Sequence, residues 1–152
     1  MSKKKELSVS AIREGTVIDH IPADCLFKVI SILGLDQCKN LITFGTNLGS
    51  HRYGKKAIIK VADKFFANED LNRIALVAPD ARLNIIKEYE VVEKKFVTVP
   101  KEIVGIAKCF NPKCITNNEN ITTNFSLVNS NVLALKCHYC EKITTEEHLE
   151  IL

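Results

Sequence analysis

The chain has 152 residues, 46% hydrophobic and 26% charged, with a formal net charge of +3. That composition allows one compact domain or two small ones, and it excludes a fibrous or a disordered chain. The first residues, Met1-Ser-Lys-Lys-Lys-Glu, lack the apolar stretch of a signal peptide. No run approaches the roughly 18 apolar residues of a membrane span, so the expected compartment is the cytoplasm, where thiols stay reduced. Lys3, Lys4 and Lys5 form a basic tip that reads either as a solvated end or as a contact to an anionic ligand.

In chain order, Thr16–Ile21 is rich in β-branched residues and predicts a strand. Pro22 then opens a helix, whose apolar stripe is Leu26, Val29, Ile30 and Leu33. Gly34 stops it. Leu41–Phe44 and Ala57–Val61 predict two strands, joined by a loop from Asn47 to Gly54 that carries Gly49 and Ser50 as turn signals. A second helix is expected from an Asn68 N-cap, with Glu69 and Asp70 in its first turn. Leu71, Ile74, Ala75 and Ala78 form its stripe, and Pro79 ends it. Strand-like Arg82–Ile86 and Tyr89–Val92 complete this half, with Lys94 just past the last strand. The pattern predicts a ferredoxin-like βαββαβ sandwich, with two helices on one face of an antiparallel sheet. The other face must then be covered or used.

Pro100 lies in a polar joint from Lys94 to Glu102. The boundary is set there, giving domains 1–100 and 101–152. Beyond it come strand-like Ile103–Ala107, a polar loop from Thr116 to Asn120, and strand-like Thr123–Val128 and Val132–Lys136. The fold class is thus α+β, with the sandwich followed by a small antiparallel β, zinc-ribbon-like domain.

Four cysteines give this second half its chemistry. Cys109-x4-Cys114 is followed, after 22 intervening residues, by Cys137-x2-Cys140. Two close pairs across such a gap have the spacing of a tetrahedral zinc site, and the intervening segment can fold as a hairpin that joins them. Two disulfides would instead require an oxidising compartment. Four thiolates leave no open position, so one Zn²⁺ per chain would be structural. About 50 residues are too few for a good core, so the metal supplies stability and chelation should unfold this half. With zinc bound the formal charge falls to about +1, which is poor for general phosphate-backbone binding.

Catalytic signatures are missing. The sequence has no Gly-rich phosphate loop and no Gly-x-Ser-x-Gly elbow. His51 and His148 read as surface residues, and Cys25 and Cys38 as buried or half-buried thiols. Asp19 and His20 are either a solvent-facing pair at a strand end or part of a polar cluster that reads a ligand. Lys60, inside the apolar run Ile58-Ile59-Lys60-Val61, must snorkel outward or meet an anion. With Lys94, it could help hold a phosphorylated small molecule.

Three blocks carry a resemblance. Gly15-Thr-Val-Ile-Asp-His-Ile-Pro22, Tyr89-Glu-Val-Val-Glu-Lys94 and Ala134-Leu-Lys-Cys-His-Tyr-Cys-Glu-Lys142 closely resemble the regulatory chain of aspartate carbamoyltransferase, over about residues 7 to 150. The resemblance implies a chain with no catalytic residues of its own. Its N-terminal domain would bind CTP as inhibitor and ATP as activator, with UTP acting beside CTP in some members. Its zinc domain would dock on a catalytic carbamoyltransferase chain, and the chains would pair as homodimers through the N-terminal domain. It implies a pocket in which Ala11, Ile12 and Val17 line the base side, and main-chain groups at Ile12 and Tyr89 read the base edge. Asp19 would hold the sugar, Lys60 would reach between ribose and base, and His20 and Lys94 would meet the phosphates. Ile58, Asn84, Ile86 and Val91 match further pocket positions. Cys109, Cys114, Cys137 and Cys140 match the zinc ligands, and Asn111 and Glu141 match positions facing the catalytic chain. Ser10, the Gly49–Tyr53 loop, the inter-pair gap and His138 depart from the family pattern, which bears on effector preference and charge pairing rather than on fold.

Two other classes compete. A nucleic-acid-binding zinc ribbon would need clustered charge and stacking aromatics, whereas Lys108, Lys113, Lys136 and Lys142 are balanced by Glu119, Glu141, Glu146 and Glu147. A small enzyme of ferredoxin-like fold would need an acid–base pair.

Overall fold

A computed structural model describes residues 11–51, 54–129 and 131–152. Lys3, Lys4, Lys5, Ser10 and Tyr53 lie outside the described residues. The chain divides into two units, 1–97 and 98–152.

In the first unit, β1 (Gly15–Pro22) leads through a 3₁₀ turn at Ala23–Cys25 into α1 (Leu26–Ile32). Pro22 therefore closes the strand, and the helix starts one turn later than expected. Its inward stripe is Leu26, Val29 and Ile32, all buried. Gly34 ends the turn at φ +65°, a left-handed conformation that glycine adopts without strain. Strands β2 (Ile42–Ser50) and β3 (Gly54–Ala62) follow. The expected Asn47–Gly54 loop is mostly ladder: Leu48 pairs Lys56 and Gly49 pairs Lys55. A register shift between Gly45 and Leu48 absorbs Asn47, whose φ is +61°, so the turn signals mark a bulge within a longer hairpin.

Helix α2 (Asn68–Asn72) tightens into a 3₁₀ turn at Arg73–Leu76. Asn68 is its first helical residue rather than its cap, and its Oδ1 accepts from Lys95 Nζ at 3.0 Å. Strands β4 (Arg82–Lys87) and β5 (Glu90–Phe96) finish the unit. Lys94 therefore lies inside β5, not beyond it.

The sheet order is β2-β3-β1-β4-β5, and all its pairings are antiparallel. This is the order expected of the split βαβ pattern with one strand added beyond β4. Alternation divides its two faces. On one, Ile18, Ile59 and Leu83 share a row and are fully buried. The helical residues Leu26, Val29, Leu71 and Ile74, with Ala78 just past the 3₁₀ turn, are buried with them, forming the main core. The other face carries a small cluster of Ile12, Val17 and Ile86, with Ile58 and Ala62 packed against it. Gly15 sits where β1 leaves this cluster. Its φ is +138°, and a Cβ there would run into the Val61 carbonyl, so only glycine fits.

The second unit holds a four-stranded sheet ordered β10-β9-β8-β6, built from β6 (Glu102–Val104), β8 (Asn124–Asn129), β9 (Ala134–Cys137) and β10 (Ile143–Thr145). A two-stranded sheet pairs β7 (Ala107–Lys108) with β11 (Glu150–Ile151). The expected Ile103–Ala107 strand is broken by Gly105, at φ +71°. The expected polar loop from Thr116 contains a one-turn helix, α3 (Ile115–Asn118). Phe125, Ile103 and Leu135 are fully buried, with Cys109, Cys114 and Cys137 at 1% exposure or less.

Candidate functional sites

Two sites emerge, one in each unit. The register of the first sheet gathers residues far apart in sequence. Val17 on β1 is paired with Lys60 on β3 and with Asn84 on β4. Lys60 is paired with Thr43, and Asn84 with Lys94. Thr43, Lys60, Val17, Asn84 and Lys94 therefore form one transverse row, with side chains on one face. The next row holds Ala62, Gly15, Ile86 and Val91. This is the face opposite the main core, and Ile58 lies on it too.

A polar edge borders these rows. Ile18 and Ile21 are both fully buried, yet two residues stand between them where regular alternation allows one. The register of β1 on β3 shifts at that point, and His20 has φ +61°. The bulge turns both Asp19 and His20 away from the core. Asp19 Oδ1 accepts from the His20 N–H at 2.6 Å, and the Asp19 Oδ2 to His20 Nδ1 distance is 3.6 Å. Lys56 Nζ reaches Asp19 Oδ1 at 2.9 Å. Lys60 is 8% exposed. Burial pushes its ammonium below the ordinary 10.5, and the nearby Asp19 carboxylate partly offsets this.

Lys56 is absent from the residues that sequence reasoning selects. Its signal is alternation: Ala57, Ile59 and Val61 are fully buried, so positions 56, 58 and 60 share the opposite face. Starting the strand at Ala57 hides it.

Ala11 is exposed, whereas Ile12 is 9% exposed against Val17 and Ile86. The Tyr89 side chain is exposed, but its N–H donates to the Arg13 carbonyl at 3.0 Å. The base-side residues named from the sequence thus lie on two segments joined by a main-chain bond.

In the second unit the four cysteine sulfurs lie within 4.8 Å of one another. Cys109 Sγ is 3.6 Å from Cys140 Sγ, and Cys114 Sγ is 3.7 Å from Cys137 Sγ. A disulfide would need about 2.05 Å. Tetrahedral Zn–S bonds of about 2.3 Å give sulfur–sulfur edges near 3.8 Å, so the arrangement fits a structural zinc site. The β8–β9 hairpin brings the knuckles together, with Phe125 paired to Cys137.

Local hydrogen bonds shape the ligands. The Tyr139 N–H donates to Cys137 Sγ at 3.4 Å, and Thr116 Oγ1 lies 3.1 Å from Cys114 Sγ. Asn117 Nδ2 donates to the Cys109 and Asn111 carbonyls at 2.8 and 2.7 Å, tying the first knuckle to α3. Burial pushes the Cys109 thiol up to about 12. Burial also raises Cys140, but hydrogen bonds from the Lys142 main chain, the Asn111 side chain and the neighbouring thiols outweigh it and lower the group to about 7. Bound metal would take the place of these protons.

Asn111 thus sits beside Cys140. Glu141 follows the last ligand, exposed and at φ +63°. His51 and His148 are exposed, the latter with its ring centroid 5.3 Å from that of Phe110. Cys25 and Cys38 are free and half-buried. Among the described residues, no helix is long and apolar enough to cross a membrane.

Comparison with known proteins gives a consistent picture. Residues 7–98 match the family described as aspartate carbamoyltransferase regulatory chain, allosteric domain. Residues 101–150 match the metal binding domain of the same chain. The aspartate carbamoyltransferase regulatory chain of Bacteroides thetaiotaomicron is 55% identical, with the whole of both chains aligned. That of Parabacteroides distasonis is 53% identical over 98% of this chain and 97% of the relative. The Pyrococcus horikoshii regulatory chain is 53% identical over 95% of this chain and 96% of the relative. Neither family match favours a nucleic-acid-binding ribbon. The chain belongs to the aspartate carbamoyltransferase regulatory-chain family, and is a non-catalytic regulatory subunit with an allosteric and a metal-binding domain.

Proposed function

We propose that residues 1–100 form the effector domain of a carbamoyltransferase complex in pyrimidine biosynthesis, and that residues 101–152 attach it to the catalytic chain. The effector would be a nucleoside triphosphate held on the open sheet face: CTP as inhibitor, ATP as activator, with UTP acting beside CTP. One observation carries this reading: the transverse row joining Lys60, Val17, Asn84 and Lys94 across four strands. It offers two ammonium groups on either side of an apolar and an amide contact, a pattern suited to an anion attached to a flat ring.

The roles are those that the family resemblance implies. Ala11, Ile12 and Val17, with the main chain at Ile12 and Tyr89, take the base. Asp19 takes the sugar, Lys60 lies between ribose and base, and His20 and Lys94 meet the phosphates. Ile58, Ile86 and Val91 supply apolar walls beside Asn84. Lys56, held by Asp19, adds a third cation near the phosphates. Effectors that share one site act oppositely only if each favours a different state of the assembly.

Homodimerisation through the first unit is supported by exposed apolar groups near its edge strand β2. Leu41 and Phe27 are exposed, and Phe27 meets Phe44 edge-on at 6.1 Å. Docking on the catalytic chain is assigned to the zinc knuckles, through Asn111 and Glu141. Free thiols fit a reducing compartment, the cytoplasm.

Calorimetric titration of the full chain with CTP, then with ATP in its presence, tests the shared site. Competition is expected; binding of neither nucleotide, or additive binding of both, overturns it. Cys114→Ser should abolish assembly with the catalytic chain while sparing nucleotide binding, and a variant that still assembles removes the zinc domain's docking role.

A further inference from the structure

The β4–β5 turn is built from residues ill suited to it. Lys87 and Glu90 form its last rung, which leaves Glu88 and Tyr89 as a two-residue loop. Both are left-handed, at φ +51° and +65°, a conformation that Asn-Gly adopts readily and that glutamate and tyrosine do not. Contacts from outside the turn support it. The Tyr89 N–H donates to the Arg13 carbonyl at 3.0 Å. Arg13 Nη2 lies 3.2 and 3.3 Å from the two Glu88 carboxylate oxygens. The segment before β1 is thus fastened to the turn twice, by main chain and by charge. Ile12, immediately before Arg13, is pinned on Val17 and Ile86.

We propose that the Arg13–Glu88 pair is a positioning device that sets the width of the base slot and favours a pyrimidine over a purine. The inference rests on the nucleotide-binding reading above. In that reading the main chain at Ile12 and Tyr89 brackets the base, one residue from each end of the ion pair. A two-ring base needs these segments further apart than a one-ring base does, and the pair resists their separation. Its side chains are 63% and 69% exposed, so its influence is small and sensitive to salt.

The test uses Glu88→Asn. It removes the carboxylate, and asparagine tolerates the left-handed conformation, so the turn is kept. The full-length wild type and variant are titrated with CTP and with ATP, at low and at physiological salt. The ratio of CTP to ATP affinity should fall about two- to fivefold in the variant, and the difference should shrink as salt is added. The charge-swapped Arg13→Glu/Glu88→Arg chain should recover the wild-type ratio. If Glu88→Asn binds both nucleotides with an unchanged ratio, or the swapped chain fails to recover it, the positioning role is overturned while nucleotide binding stands. If the wild type binds neither nucleotide, the nucleotide reading itself falls.

Discussion

The two units reach stability by different means. The first closes a five-stranded sheet over helical stripes, and Ile18, Ile59, Leu83, Ile74 and Val29 lie fully buried. The second has short strands, four of only three residues or fewer on the sheet edges, and its largest fully buried side chains are Phe125, Ile103 and Leu135. Around that small core stand three cysteines at 1% exposure or less. Apolar burial alone organises the first unit, while the second draws on metal–thiolate bonds at the positions where a larger domain would place more leucine. The units differ in purpose as well. In the reading proposed above, the first takes a ligand on the sheet face opposite its main core, whereas the second gathers four cysteines where a metal would complete its core.

Removing the metal should break this contrast most visibly. Structural zinc binding in small domains is worth about 10–16 kcal/mol. A strong chelator should therefore collapse the amide NMR dispersion of β8 and β9 while leaving that of β1, β3 and β4 in place. Persistence of the β8–β9 signals without metal would mean the small core suffices.

Core changes come next. Phe125→Ala should cost about 3–5 kcal/mol, read by urea unfolding of the zinc-loaded chain. Gly15→Ala should cost roughly 3 kcal/mol or more in the first unit, since its Cβ meets the Val61 carbonyl at a φ unsuited to alanine. Near-wild-type midpoints for Gly15→Ala would mean the strand can shift to make room.

Smaller effects sharpen the ligand-binding side. Lys60→Ala and Lys94→Ala should each weaken nucleotide binding by about 1–3 kcal/mol without moving the unfolding midpoint far. Unchanged affinity in both would remove the sheet face from consideration.

The smallest effect is on pH. The Lys60 ammonium titrates below 10.5 in the folded chain, so the unfolded chain holds more protons between the lowered value and 10.5. Folding stability from this group therefore rises with pH through that window. Nucleotide binding has the opposite sign, because an anionic ligand needs the charged form. Affinity should fall as pH rises through the lowered value, and Lys60→Gln should flatten the dependence. An identical slope in the variant would assign the titration elsewhere.

Much of this is legible from residue patterns. The buried run Leu71, Ile74, Ala75 and Ala78, the stop at Gly34 and the cysteine spacing each reflect local physics that operates within a few residues, whereas the α1 stripe is legible only at Leu26 and Val29, since Ile32 rather than Ile30 and Leu33 is buried. What residue patterns miss depends on pairing. The Asn47–Gly54 stretch has loop composition, yet its ladder with β3 extends the hairpin, because cross-strand bonds do not consult turn propensity. Lys94-Lys95 reads as a polar strand end, but the pairing of Lys94 with Asn84 keeps it in the sheet. Lys56 falls outside the selected residues for the same reason. Asn117, which ties the first knuckle together through two carbonyls, carries no signal, since an amide in a polar stretch looks like any solvated residue.

The irregularity in β1 has a further consequence. A uniform ribbon presents every second side chain to a given side, so its functional groups are spaced about 7 Å apart. One inserted residue between Ile18 and Ile21 doubles the local density, letting a carboxylate and an imidazole stand shoulder to shoulder on a single strand. Deleting either one would restore the even rhythm and leave its neighbour alone on the outward side, between Ile18 and Ile21. A chain lacking His20 would thus keep the outward carboxylate of Asp19 and lose only the imidazole beside it, so the extra residue is what lets the two groups adjoin.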